Sequence, residues 1–432
     1  MLVSFWMENF KSFRDRVEIS LIANGADRTF PSAVIPAKTS TGGEIGLLPA
    51  VAFYGPNASG KTNLLMGIDY LKAAIAFSQP VWKPASGTYL DPNVVCPETP
   101  STFEINVLLD GVRFRYGFEV HPSHFSREWL FSYPKGRERE LFQRITHRLD
   151  DTFDTSAEIG SNLTGERRDH LSSLRRTREN SLFLSSLAQD NQDEASKVYK
   201  YVRGWNTAID RPQKNFSEMT SFLSFRINTF KELTLSLLKL ADPSIQDIEI
   251  SEIEDNAKSA YGRAIDNKHY KASFITGVAG NRYGMPFENQ SRGIKKLYTL
   301  CADVVWGLQM GQLVVVDEIE TSMHPHISAR LISLFQDSST NPKNAQLIFA
   351  THETRLLSLK HLRRDQIWFV DKQDGLSTVY SLLEFSPRKD ENFELGYLTG
   401  RYGSIPTKGL DPQWYETIKQ VINESEIDEQ PA

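Results

Sequence analysis

The spacing of apolar positions along the chain alternates between a period of two and a period near 3.6, and each change marks an element. Residues 47–54, LLPAVAFY, form a short apolar run of strand length, as expected for a strand buried on both faces. After the polar stretch GPNASGKTN, Leu64, Leu65, Ile68, Leu71 and Ile75 fall on one face of a predicted helix. Phe103, Ile105, Val107 and Leu109 alternate, Asp110-Gly111 supplies a turn, and Val112, Phe114, Tyr116, Phe118 and Val120 answer, which predicts a hairpin. LVSFWMENF and VEISLI predict two further short strands around KSFRDR. The Pro-rich passage SQPVWKPASGTYLDPNVVCPETP predicts a surface loop.

From about residue 150 to 240 the chain turns polar with helical spacing, as in EASKVYKYVRGW and SFLSFRINTFKELTLSLLKLA. No sustained heptad emerges, which argues against a long coiled-coil arm. Short strands return from Ile245 to Phe274; DPSIQDIEISEIED within them, rich in acids, reads as a solvated strand edge. Ile294, Leu297, Cys301, Val304, Val305 and Leu308 then line one face of a helix that stops at Gly311. A second continuous apolar run, LVVV, follows it and ends in Asp317 and Glu318. An apolar run closed by two acids is ordinarily a strand reaching solvent. A phosphate-binding loop elsewhere would change that reading.

Residues 55–62, GPNASGKT, match G-x-x-x-x-G-K-[ST] in full, between the predicted strand and helix that the motif requires. Gly55, Pro56, Asn57, Ala58, Ser59 and Gly60 form a loop whose backbone N–H groups, Pro56 excepted, curl around a phosphate, and the helix N-terminus adds its positive end. Lys61 is placed to reach the β- and γ-oxygens, and Thr62 to offer its hydroxyl to Mg²⁺. Asp317 then reads as the Walker B metal ligand and Glu318 as the base that activates water. The expected cofactors are ATP and Mg²⁺. One helix upstream of Asp317, Ser291 and Gly293 open a helix in QSRGIKKL, where an ABC-type ATPase presents a hydroxyl, an N–H and a helix dipole to the γ-phosphate of the opposite subunit. Downstream, AQLIFATHE places His352 at a strand end, suited to sensing the γ-phosphate. Catalytic roles therefore fall to Glu318, His352 and Lys61.

The rest of the composition narrows the class. A 432-residue chain that is 40% hydrophobic can bury a large core, and its net charge of −5 gives no global argument for nucleic acid. Arg167, Arg168, Arg175, Arg176 and Arg178, and Lys360, Arg363 and Arg364 in KHLRR, read as solvated faces. Cys96 and Cys301 have no metal-ligand spacing and read as reduced packing residues. No apolar run reaches the roughly 20 residues of a membrane span, and MLVSFWMENFKSF lacks a cleavable signal, so a cytoplasmic address is expected without a membrane partner.

The ordered set NFKSF, GPNASGKT, QSRGIKKL, VVVDEIETSMHPH, QLIFATHE, RRDQIWFV and YLTGRYGSIP resembles the ABC-like AAA-type ATP-binding proteins of phage-defence and restriction loci, the RloA group among them. The ATPase half of the overcoming-lysogenisation-defect proteins is a more distant relative. The resemblance implies an α/β fold, an ABC-type P-loop ATPase head with a mixed sheet, flanking helices, an antiparallel β-subdomain and a helical insertion. Residues 1–150 and 241–432 would be the two halves of the head and 151–240 the insertion. It also implies a homodimer or higher homo-oligomer around two ATP molecules, and an effector partner of nuclease type from a neighbouring gene. Glu320 to His324 would be the D-loop bordering the dimer interface. The family signature reads Glu-Ser-x-Gly-Thr; here Gln290 and Ile294 replace the acid and the Thr, and the Ser and Gly remain. Gln79 and Gln143 both stand as candidates for the Q-loop glutamine. The alternative function is a DNA-repair or chromosome-structuring ATPase that clamps DNA. A transporter subunit is disfavoured by the long separation of the two halves of the site, and a self-contained nuclease by the short stretch after His352.

Overall fold

A computed structural model describes the chain except for residues 151, 210–212, 255–267, 358–360, 389–390, 406–411 and 426–432. Lys360, Pro406, Asp255 and the end of the polar tail lie outside the described residues. In chain order the elements begin with β1 (Leu2–Glu8), β2 (Val17–Ser20), β3 (Ile35–Lys38), β4 (Glu44–Leu47), β5 (Ala50–Tyr54) and α1 (Lys61–Phe77). Five strands follow α1: β6 (Ser101–Leu109), β7 (Val112–Val120), β8 (Phe125–Tyr133), β9 (Arg139–Leu149) and β10 (Thr152–Ile159). Next come α2 (Arg167–Arg176), α3 (Phe183–Gln189), α4 (Asp193–Arg203), β11 (Asn206–Ala208), α5 (Gln213–Arg226) and α6 (Asn228–Ala241). The remainder runs β12 (Ile245–Glu254), β13 (Lys268–Val278), β14 (Asn281–Pro286), α7 (Arg292–Met310), β15 (Leu313–Val316), α8 (Pro325–Gln336), β16 (Gln346–Ala350), β17 (Ile367–Gln373), β18 (Leu376–Ser381), α9 (Phe393–Leu398) and α10 (Pro412–Ser425).

Two large sheets sandwich α1. The first is antiparallel, in the order β10-β9-β8-β7-β6-β1-β2, and contains the expected hairpin, with Asp110 and Gly111 both at positive φ as its two-residue turn requires. The second has the order β11-β15-β16-β5-β17-β18, parallel except for β18. Alternation explains why its central strands read as continuous apolar runs. Val51 and Phe53 of β5, with Leu313 and Val315 of β15, join the core that holds Leu64, Leu65, Ile68 and Leu71 of α1. Ala50, Ala52 and Tyr54, with Val314 and Val316, join a second core built from α6, α7 and α8. Each buried Val, Leu, Ile or Phe among them contributes about 1.5–3 kcal/mol, so both faces must be covered. Gln346 clips the two sheets together: its buried side-chain amide accepts from Leu2 N at 2.6 Å and donates to Leu2 O and Leu48 O.

A third, three-stranded antiparallel sheet, β12-β13-β14, leaves β12 at an edge, where Asp247 and Glu252 pair with Lys231 and Lys268. The stretch expected to be helical from 150 to 240 also carries β10 and β11, whose polar sequences hide their strands: β10 pairs with β9 and β11 with Val314–Val316 of β15. The basic clusters are not simply solvated faces. Arg178 donates to the carbonyls of Ser78, Gln79 and Trp82, while Arg363 and Arg364 turn inward to Asp365 and Asp27. Buried carboxylates and loop carbonyls offer acceptors that draw these guanidiniums in. No helix among the described residues is long and apolar enough to cross a membrane.

Candidate functional site

Strand order brings the candidate residues together. β16 lies between β15 and β5 in a parallel register, so the carboxyl ends of all three strands open at the same edge of the sheet. Ligands of open α/β sheets bind at such edges. There, a cavity of about 460 Å³ is lined by Asn57, Ala58, Ser59, Gly60, Lys61, Thr62 and Asn63 of the loop and α1, by Asp317 and Glu318, by His352 and by Lys372. Gly55 and Pro56 stand behind it, their carbonyls accepting from Lys61 Nζ at 2.9 and 3.0 Å. Burial lowers the Lys61 pKa to about 8, against the opposing pull of Asp317, Glu318 and Glu320.

Consecutive strand residues point to opposite faces, yet Asp317 and Glu318 line the same cavity. The backbone resolves this: β15 ends at Val316, and Glu318, two residues on, adopts a left-handed conformation, φ 48°. Such a conformation costs a non-glycine residue about 1 kcal/mol or more, and strain of this kind collects at functional sites. Thr321 Oγ1 holds the turned-out carboxylate by donating to Glu318 Oε2 at 2.8 Å. Thr62 Oγ1 donates to Asp317 Oδ2 at 2.7 Å, while Asp317 Oδ1 is buried without a protein partner. Burial pushes the Asp317 carboxyl above the usual range, the Thr62 hydrogen bond opposes it, and the Glu318 charge adds to it. A hydroxyl, an adjacent carboxylate and an unpartnered carboxylate oxygen suit Mg²⁺, which takes one or two protein oxygens and completes its shell with water and phosphate. Thr62 and Asp317 are the residues that could hold it.

The His352 loop is held from below. Glu320 accepts from Thr351 Oγ1 and from His352 N, both at 2.7 Å. Desolvation and the nearby Lys61 ammonium push the His352 pKa below its usual range, which favours the neutral ring at pH 7. On the outer side of the loop, Ser377 Oγ of β18 lies 2.6 Å from Ser59 O and 2.8 Å from Ser12 Oγ, and Ser12 Oγ accepts from Asn63 Nδ2. The NFKSF motif thus buttresses the phosphate loop through its serine.

Ser291 and Gly293 are not in this cavity. They line a separate one of about 560 Å³ with Ser322, Met323, His324 and Ile327. Ser291 caps α7, accepting from Ile294 N at 3.3 Å, and Gly293 packs so closely on the loop after β15 that a Cβ would lie 2.6 Å from Ser322 O. Neither Gln79 nor Gln143 lines the phosphate cavity. Sequence reasoning missed Lys372 and Asn63 as lining residues, Glu320 as the acceptor for the His352 loop, and Lys296, a half-buried lysine on α7 under the influence of Glu318 and Asp317. Asn63 directly follows GKT and Glu320 closely follows the acid pair, so proximity to the motifs was the available signal; Lys372 sits in a hairpin with none.

A P-loop, a carboxylate strand beside the histidine strand and an antiparallel sheet across α1 define a P-loop ATPase of the AAA/ABC-like kind. The chain belongs to the family described as "AAA domain, putative AbiEii toxin, Type IV TA system", whose model matches residues 50–358. Among solved structures it is similar to "Crystal structure of the SmcHead bound to the C-winged helix domain of ScpA", at 14% identity and a TM-score of 0.45, over 89% of this chain and 99% of that one. No curated protein matches it.

Proposed function

We propose that this chain is an ATPase that hydrolyses Mg²⁺-bound ATP at an interface between two copies of itself and so switches an effector partner. The observation that carries the catalytic part is the meeting of Thr62 and Asp317 beside Lys61, with Asp317 Oδ1 left for a cation. In this reading the loop and Lys61 bind the β- and γ-phosphates. When bound, Mg²⁺ supplies charge neutralisation at the phosphate oxygens. Glu318, turned into the cavity by its left-handed backbone, accepts the proton of the attacking water. Neutral His352 orients that water or the γ-phosphate. Phosphate release should need Mg²⁺ and vanish in Lys61→Ala; equal release with EDTA would contradict the reading.

The dimeric part is supported by the placement of Ser291 and Gly293. They sit at the N-terminus of α7 beside residues 322–327, on a surface of their own rather than in the phosphate cavity. A hydroxyl and a helix N-terminus in that setting suit the γ-phosphate of another copy. ATP-bound Glu318→Gln should then form a closed dimer, and Ser291→Arg should prevent closure while leaving ATP affinity intact. Label-to-label distances that stay the same with and without ATP would contradict it. The effector part rests on the resemblance of the ordered motif set to the ATP-binding proteins of phage-defence loci. Its test is co-purification with the product of the adjacent gene.

A further inference from the structure

The YLTGRYGSIP motif has no role in the site as described so far, yet it packs directly behind it. Two attachments define its position. At one end, three residues before the motif begins, Glu394 Oε1 of α9 accepts at 2.9 Å from Oγ1 of Thr354, two residues after His352. At the other, Ser404 Oγ donates to Val370 O at 2.6 Å, beside Gly55 at the root of the phosphate loop. The approach there is close: a Cβ on Gly55 would lie 2.3 Å from Val370 O and 3.0 Å from Ser404 Oγ.

Between these ends the segment is rigidly seated. Tyr397 and Tyr402 both stack on Phe369 of β17, with ring centroids 5.6 and 5.5 Å away. Tyr397 also meets the ring of Tyr54, the residue before Gly55, edge-on at 6.0 Å. Tyr397 Oη donates to Ser404 O, Tyr380 Oη donates to Tyr402 O, and Tyr402 Oη bonds Glu391. Each conspicuous residue of the motif therefore fastens the segment to the sheet or to itself. What remains for Glu394 is the loop that carries His352.

We propose that residues 393–405 form a strap that positions His352: Glu394 holds the histidine loop, Ser404 anchors the strap to β17 beside the root of the phosphate loop, and the two are joined through the Phe369 stack. Glu394 is a positioning residue, because it acts through Thr354 and does not face the phosphate cavity. The proposal rests on the ATPase reading for its catalytic consequence, though not for its structural one. Loss of the Glu394–Thr354 bond frees the histidine loop on one side, leaving Glu320 to hold it on the other. Small displacements of an orienting group lower turnover without touching the contacts that bind the phosphates.

The test uses the full chain in four variants: Glu394→Ala, Glu394→Gln, Thr354→Val and the double variant Glu394→Ala/Thr354→Val. Glutamine retains an oxygen that can accept from Thr354, so Glu394→Gln should keep near-normal turnover. Glu394→Ala and Thr354→Val should each lower kcat by about 10-fold with KM and ATP affinity unchanged, and the double variant should be no worse than either single one. Hydrogen exchange at residues 351–357 should accelerate in Glu394→Ala while the amides of 55–62 keep their protection. Equal losses in Glu394→Ala and Glu394→Gln, multiplying losses in the double variant, or unchanged exchange at 351–357 would each overturn the strap. A wild-type chain without turnover would contradict the ATPase reading instead, and the exchange measurement alone would then decide the strap.

Discussion

Thr62 and Asp317 stand 255 residues apart in the chain and meet through a 2.7 Å hydrogen bond, hydroxyl to carboxylate. Everything between them, strands β6–β10 of the antiparallel sheet, the helical region and the third sheet, is accommodated without separating the two halves of the phosphate cavity. The parallel register of β15, β16 and β5 is what makes this possible, because it aligns three strand ends regardless of the length of the connections.

Asp317 carries a charge whose burial is costly and whose partner oxygen is missing on one side. Its folded pKa is raised, so at neutral pH the ionised form works against folding; removing the charge should stabilise the protein. Asp317→Asn should raise Tm by about 1–3 °C in Mg²⁺-free buffer, since asparagine can still accept from Thr62. The same variant should lose the further upward shift that Mg²⁺ and ATP give the wild type. A lower Tm combined with a retained Mg²⁺-dependent shift would refute the assignment.

Lys61 titrates near pH 8 in the protein alone. A triphosphate favours the ammonium form and raises that value, so ATP binding above pH 8 should draw a proton from solution. At pH 8.5 the uptake should approach about three-quarters of a proton per ATP bound, and at pH 6.5 Lys61 should contribute almost none. Calorimetry in two buffers of different ionisation enthalpy measures this directly. Lys61→Met should abolish the pH 8.5 uptake; uptake that persists in it would assign the proton elsewhere.

Arg364 and Asp27 form a pair at 2.8 Å in which the aspartate side chain is fully buried. Burial works to raise the Asp27 pKa, but hydrogen bonds from Arg364 and Thr29 outweigh it and bring the value to about 2. A depressed carboxylate pKa stabilises the fold fully above the unfolded value near 4, and this contribution is lost as pH falls from about 4 to 2. Arg364→Ala should cost about 3 kcal/mol at pH 7 by stranding that charge, with ATP affinity unchanged because the pair lies outside the cavity. Urea midpoints measured from pH 7 to 3 should show the difference between wild type and variant shrinking only toward the acid end.

The parts of this fold that were legible in the sequence are those whose periodicity and local chemistry coincide. β5, α1 and β15 announce themselves by uninterrupted or helically spaced apolar residues, and the phosphate loop by a fixed pattern between two of them. β11, only Asn206–Ala208, has no apolar signal; its strand state comes from pairing with β15. β10, TFDTSAEI, alternates among polar residues, so its hydrogen bonds to β9 decide its conformation. Arg363 and Arg364 look like surface charge until the loop at 24–29 is folded over them, supplying Asp27 and the carbonyls of Asn24 and Thr29. In the candidate site the same division holds. Lys61, Thr62, Asp317, Glu318 and His352 were readable from motif order, whereas the hydrogen bonds of Glu320 and Glu394 to the histidine loop join segments 31 and 40 residues apart, beyond the reach of a local pattern.

Glu318, turned into the cavity next to Asp317, is the proposed base for ATP hydrolysis. Single-turnover phosphate release from Mg²⁺-ATP by Glu318→Gln tests it most directly, with ATP affinity measured on the same preparation. Loss of a positioned base costs about 10²–10⁴ in rate and leaves the loop that grips the phosphates untouched. The variant should therefore bind ATP as tightly as wild type and release phosphate at least 100-fold more slowly. Phosphate release at the wild-type rate from Glu318→Gln would contradict the account.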